Sequence, residues 1–192
     1  MNRSVRPFLA LPAGHGDNRS AMDAKEALKI SISYEHKVRD HYLKGVAKIE
    51  DPQGKKVFET LAREEQGHVD YLESRLKSWV ETGKVVPGEL KSVVPPKVDW
   101  IQRSKRRIAR GPSKKVASKT EMDLLRTALD LERRTSGFYR ELVGTVETSH
   151  RSLFERFLEI EAGHVNLVQA EIDSLNGVGT WFDILEVSFE AG

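Results

Sequence analysis

The sequence predicts an all-α protein, a four-helix bundle made of two copies of one helical hairpin joined by a long crossover. Residues 58–68 read FETLAREEQGH and residues 154–164 read FERFLEIEAGH, each with Glu-x-Gly-His and a Phe seven residues before the Glu. Residues 27–42 (ALKISISYEHKVRDHY) and 124–139 (LLRTALDLERRTSGFY) form a second matching pair, each with a Glu and a Tyr seven residues later. The breaks between these stretches run short, long, short. Short breaks make antiparallel neighbours, and the long one crosses the bundle.

Residues 1–20 (MNRSVRPFLALPAGHGDNRS) mix Gly, Pro and polar residues and are expected to form a flexible N-terminal arm. The bundle is assigned to 21–175, with hairpins at 23–81 and 118–175 and a crossover at 82–117. The first helix is expected from about Asp23 to Ile49, with Ser20 or Asp23 as N-cap. Asp51-Pro52-Gln53-Gly54 reads as a breaker, so the second helix is placed at about Lys56 to Glu81. Gly83, Pro87, Gly88, Pro95 and Pro96 exclude a continuous helix through the crossover. A helix of ~26 residues is about 39 Å long, and the extended crossover spans more than that. It also permits exchange of a hairpin between two subunits. The third helix begins near Ser118 or Thr120 and ends near Gly144; the fourth starts near Ser149 and stops before Asn176-Gly177. The tail, 176–192, carries Trp181, Phe182, Ile184, Leu185, Val187 and Phe189 and is expected to pack on the bundle or on a partner subunit.

Composition narrows the chemistry. The 192 residues are 39% hydrophobic and 31% charged, which suits amphipathic helices around one sizeable core. No apolar run is long enough to span a membrane, and Phe8-Leu9-Ala10-Leu11 is too short for a signal-peptide core. The formal net charge of +2 does not point to nucleic acid. Residues 103–115 (RSKRRIARGPSKK) are basic and lack interleaved aromatics, so they read as a solvated crossover, with docking of an acidic electron donor as the sharper reading. With no cysteine, thiolate zinc, iron–sulfur and rubredoxin-type sites are excluded from this chain. A cytoplasmic location is the default.

Helical spacing puts Glu65 with His68, and Glu161 with His164, on one face. Phe58 and Phe154, two turns earlier, mark those faces as inward. Ala27, Tyr34, Val38 and Tyr42 surround Glu35; Leu125, Ala128, Leu131 and Phe138 surround Glu132. Four carboxylates and two imidazoles are therefore directed into one core. Unpartnered buried carboxylates are costly. Two divalent cations would balance them, and an oxygen-rich set with imidazole suits iron or manganese. Gly67 and Gly163, each before a His, read as sites of close helix approach, since a mid-helix Gly costs ~1 kcal/mol relative to Ala. Tyr42 and Tyr139 are placed to hydrogen-bond a metal-bound carboxylate of the facing hairpin. Glu64 falls about 100° around the helix from Glu65 and is read as solvated. His15, His36, His41 and His150 lack the repeat register and are read as surface or tail residues.

These paired motifs, with the Trp181-Phe182-Asp183 tail, resemble the rubrerythrin branch of the ferritin-like di-iron carboxylate superfamily, in an erythrin-type form without a rubredoxin domain. A Glu from each of two helices and Glu-x-x-His from each of the others is the known ligand set of that superfamily. The resemblance implies a ferritin-like bundle and two iron ions held by Glu35, Glu65, His68, Glu132, Glu161 and His164, with manganese or a mixed pair as the alternative. It implies that Glu65 and Glu161 bridge and that Glu35 and Glu132 are terminal. It further implies an oxidoreductase of oxidative-stress type that reduces peroxide or dioxygen with electrons from an external donor, and a homodimer. Rubrerythrins carry an extra Glu three residues after the third-helix ligand; here that position is Thr135, and its repeat mate is Val38. Iron handling of the ferroxidase type and a non-enzymatic metal-binding scaffold are the alternatives.

Overall fold

The computed structural model describes residues 22–85, 88–94 and 118–176. Among them are four α-helices: α1 (Ala24–Val46), α2 (Pro52–Thr82), α3 (Lys119–Thr145) and α4 (Arg151–Leu175). A 3₁₀ turn, Thr148–His150, leads into α4. The arm at 1–20, the basic segment 103–115 and the tail beyond Asn176 lie outside the described residues. No helix among the described residues is long and apolar enough to cross a membrane.

Helix ends follow local chemistry, with one difference from the sequence reading. α2 begins at Pro52, inside the tetrad expected to break it. Proline suits a first helical position because its missing N–H would be unpaired there anyway. The Asp51 carboxylate accepts from Gly54 N at 3.1 Å, so this tetrad starts a helix. A Cβ on Gly54 would strike the Glu121 carboxylate, so glycine here permits the first turns of α2 and α3 to meet. Ser118 accepts from Glu121 N at 3.1 Å and caps α3. Asp23 occupies the N-cap of α1 but makes no side-chain cap. Gly83, at φ 68°, ends α2 in a backbone conformation that favours glycine. Gly67 differs from expectation: it is exposed, and an added Cβ would meet nothing within 4 Å. It lies about a quarter-turn from the inward face, so close helix approach does not explain it.

Two apolar clusters fix helix directions. One contains Val38, Tyr42, Phe58, Leu61, Leu125 and Leu167. The other contains Leu28, Tyr34, Leu72, Phe138, Tyr139, Phe154 and Phe157. α1 and α4 run from the second cluster to the first, while α2 and α3 run the other way. Met22 N, just before α1, donates to Thr145 O at the end of α3 at 2.9 Å, as antiparallel α1 and α3 require. Because α2 and α3 are parallel, the chain between them must travel the length of the bundle. Its segment 88–94 lies along the helices. Tyr71 Oη donates to Gly88 O at 3.0 Å, Arg156 Nε donates to Leu90 O at 3.3 Å, and Leu90 and Val94 are buried.

Candidate metal centre

On every helix the ligand candidates fall between the two apolar clusters. Glu35 follows Tyr34, Glu65 and His68 lie between Ala62 and Leu72, Glu132 lies between Leu129 and Phe138, and Glu161 and His164 lie between Ile160 and Leu167. All six side chains are buried, none more than 1% exposed. The hairpin repeat therefore produces one polar layer sealed at both ends by hydrocarbon.

Both imidazoles turn Nδ1 toward the carboxylates. His68 Nδ1 lies 3.2 Å from Glu35 Oε2, 3.3 Å from Glu65 Oε2 and 3.6 Å from Glu161 Oε1. His164 Nδ1 lies 2.8 Å from Glu65 Oε1 and 3.9 Å from both Glu132 Oε2 and Glu161 Oε1. Glu65 thus points one oxygen to each histidine, and Glu161 Oε1 stands between them. Glu35 belongs to His68 and Glu132 to His164. The rings stack with centroids 5.3 Å apart. One donor atom each from Glu65, His68, Glu161 and His164 lie within 4.8 Å of one another, a cluster that can hold a metal ion.

The tyrosines cross the bundle as the spacing suggested. Tyr42 of α1 donates to Glu132 Oε1, and Tyr139 of α3 donates to Glu35 Oε1. Burial pushes both phenols well above their ordinary value, and the nearby carboxylates add to this. They therefore remain hydroxyl donors. Thr135 and Val38, also fully buried, supply no carboxylate.

The layer is electrostatically unbalanced by itself. Burial, reinforced by Glu35 and the other carboxylates, pushes Glu65 and Glu161 well above the usual carboxylate range. Burial also raises Glu132. Burial acts upward on Glu35 too, but His68, Glu65 and Tyr139 outweigh it and leave that group lowered. Burial acts downward on His164, but Glu64, Glu65 and Glu132 carry it up to about 10. Both oxygens of Glu65, both of Glu161, Glu132 Oε2, His68 Nε2 and both nitrogens of His164 make no well-directed hydrogen bond; Glu65 Oε1 and His164 Nδ1 meet only as an ion pair at 2.8 Å. Orphaned buried acceptors converging from three helices are what a cation would satisfy. The oxygen and imidazole donors fit iron or manganese.

Glu64 is the residue the sequence reading misplaced. Its side chain is only 11% exposed. Ser92 Oγ donates to Oε2, and Val93 N donates to Oε1 at 3.2 Å. Oε2 also lies 3.7 Å from His164 Nε2. Burial would raise Glu64, but His164, Ser92 and Val93 hold it at about 2. No helical periodicity reveals this, because the crossover segment supplies the enclosure. His41 is a second correction. It is half-buried with Nε2 3.0 Å from Leu124 O on α3, and burial lowers its pKa. His36 is half-buried near Glu73, His150 sits in the 3₁₀ turn, and His15 lies outside the described residues.

The protein-family model described as Rubrerythrin matches residues 26–171, from the start of α1 to the last turn of α4. No curated protein and no solved structure matches the chain. The match covers all six converging ligand candidates and both tyrosines, so the chain belongs to the rubrerythrin family.

Proposed function

We propose that this chain is a di-iron-binding oxidoreductase that reduces peroxide or dioxygen with electrons from an external donor. The observation that carries the reading is the sealed layer in which Glu65 and Glu161 stand between two Nδ1 atoms and leave their oxygens unpaired. Glu35 and His68 would hold one iron, Glu132 and His164 the other, and Glu65 and Glu161 would serve both. When bound, the metal pair supplies one electron from each ferrous ion.

The protein's own groups prepare that position. Tyr139 and Tyr42 each hold one oxygen of the terminal carboxylates Glu35 and Glu132, leaving the other toward the layer. That fixes carboxylate orientation from the opposite hairpin. The apolar clusters on both sides restrict water, which keeps electrostatic attraction inside the layer strong. His164, carried up to about 10, holds a proton at neutral pH that a cation would displace, and burial makes Glu65 and Glu161 bind protons more readily than free carboxylates.

The test is oxidant titration of anaerobically iron-loaded protein, followed by Mössbauer spectroscopy. Peroxide should oxidise two ferrous ions per molecule, taking up two protons and forming two waters. Ferric iron accumulating well beyond two per chain under excess ferrous ion and dioxygen would favour iron handling. Loaded iron that stays ferrous with either oxidant would leave a structural scaffold.

A further inference from the structure

We propose that Glu64, clamped by Ser92 and Val93 of the crossover, is a positioning residue for His164 and makes the two metal positions unequal. The inference rests on the two-metal reading above but concerns a contact outside the ligand set. His164 directs Nδ1 at the carboxylate layer and Nε2 at Glu64 Oε2, 3.7 Å away. That is an ion-pair distance, about 0.7 Å longer than a typical N–H···O hydrogen bond. It leaves no room for a water between the two atoms. A histidine that ligates through one nitrogen commonly gives its other N–H to a carboxylate, which fixes the tautomer and strengthens the ligand.

Glu64 is itself held in place. Both oxygens accept from the crossover, one from Ser92 Oγ and the other from Val93 N. The neighbouring Val94 is buried in the core, anchoring that stretch of chain. The carboxylate thus faces His164 from a fixed platform.

The other half has no counterpart. In the repeat register Glu64 corresponds to Ile160, which offers no acceptor. Neither Nε2 makes a hydrogen bond, but His164 Nε2 has the Glu64 carboxylate at ion-pair distance, whereas the carboxylates that His68 meets among the described residues all lie on its Nδ1 side. The His68 ring instead meets the edge of Phe157, centroids 5.3 Å apart and planes at 75°. On the side away from the layer, one imidazole is therefore faced by a carboxylate and the other by an aromatic ring. The Glu132–His164 position should bind a divalent cation first and more tightly.

The test is cobalt(II) titration of the intact chain, read by visible d–d absorption and by cobalt counted per chain. Wild type should fill in two resolved steps. Glu64→Gln, which keeps the side-chain volume, should weaken the tighter step by about ten- to a hundred-fold, the range for loss of such a partner. It should leave the weaker step in place. Ser92→Ala, with every ligand and Glu64 intact, should shift the same step by less. In a His68→Ala background Glu64→Gln should retain its effect; in a His164→Ala background it should have none. Equal weakening of both steps, no weakening, or an effect that survives loss of His164 would each overturn the inference. Wild-type chain that takes up no cobalt would overturn the metal reading itself, and this inference with it.

Discussion

The two hairpins supply the same ligand candidates and differ in what stands behind them. In the first, His68 is backed by an aromatic ring. In the second, His164 faces a carboxylate that the crossover holds. Duplication explains the likeness, because a ligand on a repeated helical word recurs at the same depth. The difference arises where the repeat departs from itself, Glu64 against Ile160, and from the unrepeated crossover that clamps Glu64. A symmetric sequence motif can thus sit in an asymmetric environment, since a bundle with one crossover has different neighbours on its two sides.

The largest effect should come from breaking what the halves share. Glu65→Ala or Glu161→Ala removes a carboxylate that faces both histidines, so either change should abolish two-metal binding in equilibrium dialysis. Glu35→Ala and Glu132→Ala touch one histidine each and should leave about one ion per chain. One-ion binding in all four variants would erase the distinction between shared and separate carboxylates.

Next is the pH dependence of metal-free stability. Glu65 and Glu161 are raised above their ordinary 4.5 in the fold, so the folded state binds more protons than the unfolded state above that pH. His164, raised from 6.5 to about 10, contributes stability that is full below 6.5 and lost as pH rises through about 10. Both act in the same direction. Glu35, lowered from 4.5, acts only below that range and does not offset them. Chelated protein should therefore melt at progressively lower temperature between pH 6 and 9. Metal affinity should rise over the same interval, because binding expels these protons. Calorimetric scans with and without metal should diverge with rising pH; parallel curves would count against the unbalanced layer.

Smaller effects test the ties between halves. Tyr42→Phe and Tyr139→Phe each remove a donor to a buried carboxylate of the other hairpin. Each should cost about 1.5–3 kcal/mol in denaturant unfolding of loaded protein, the range for a hydrogen bond to a charged group. The smallest change is Ser118→Ala, which removes the α3 cap and should cost about 1 kcal/mol without altering metal stoichiometry.

Much of this polar layer was legible in the sequence because its side chains obey helical period. The spacing of Glu65 with His68 and of Glu35 with Tyr42 fixed which face each occupies, and the repeat fixed that the faces meet. The readings that failed depended on chain outside that period. Pro52 looked like a breaker, yet it starts α2 once the Asp51 carboxylate accepts from Gly54 N. Gly67 looked like a packing residue but faces solvent. Glu64 looked solvated because its cover, Ser92 and Val93, is distant in sequence and has no periodic signal.

The central claim is that the polar layer is a two-metal site. Anaerobic ferrous titration with iron counted per chain tests it most directly. The account predicts two tightly held irons per chain, with a higher melting temperature in the loaded protein. No stoichiometric uptake and an unchanged melting temperature would contradict it.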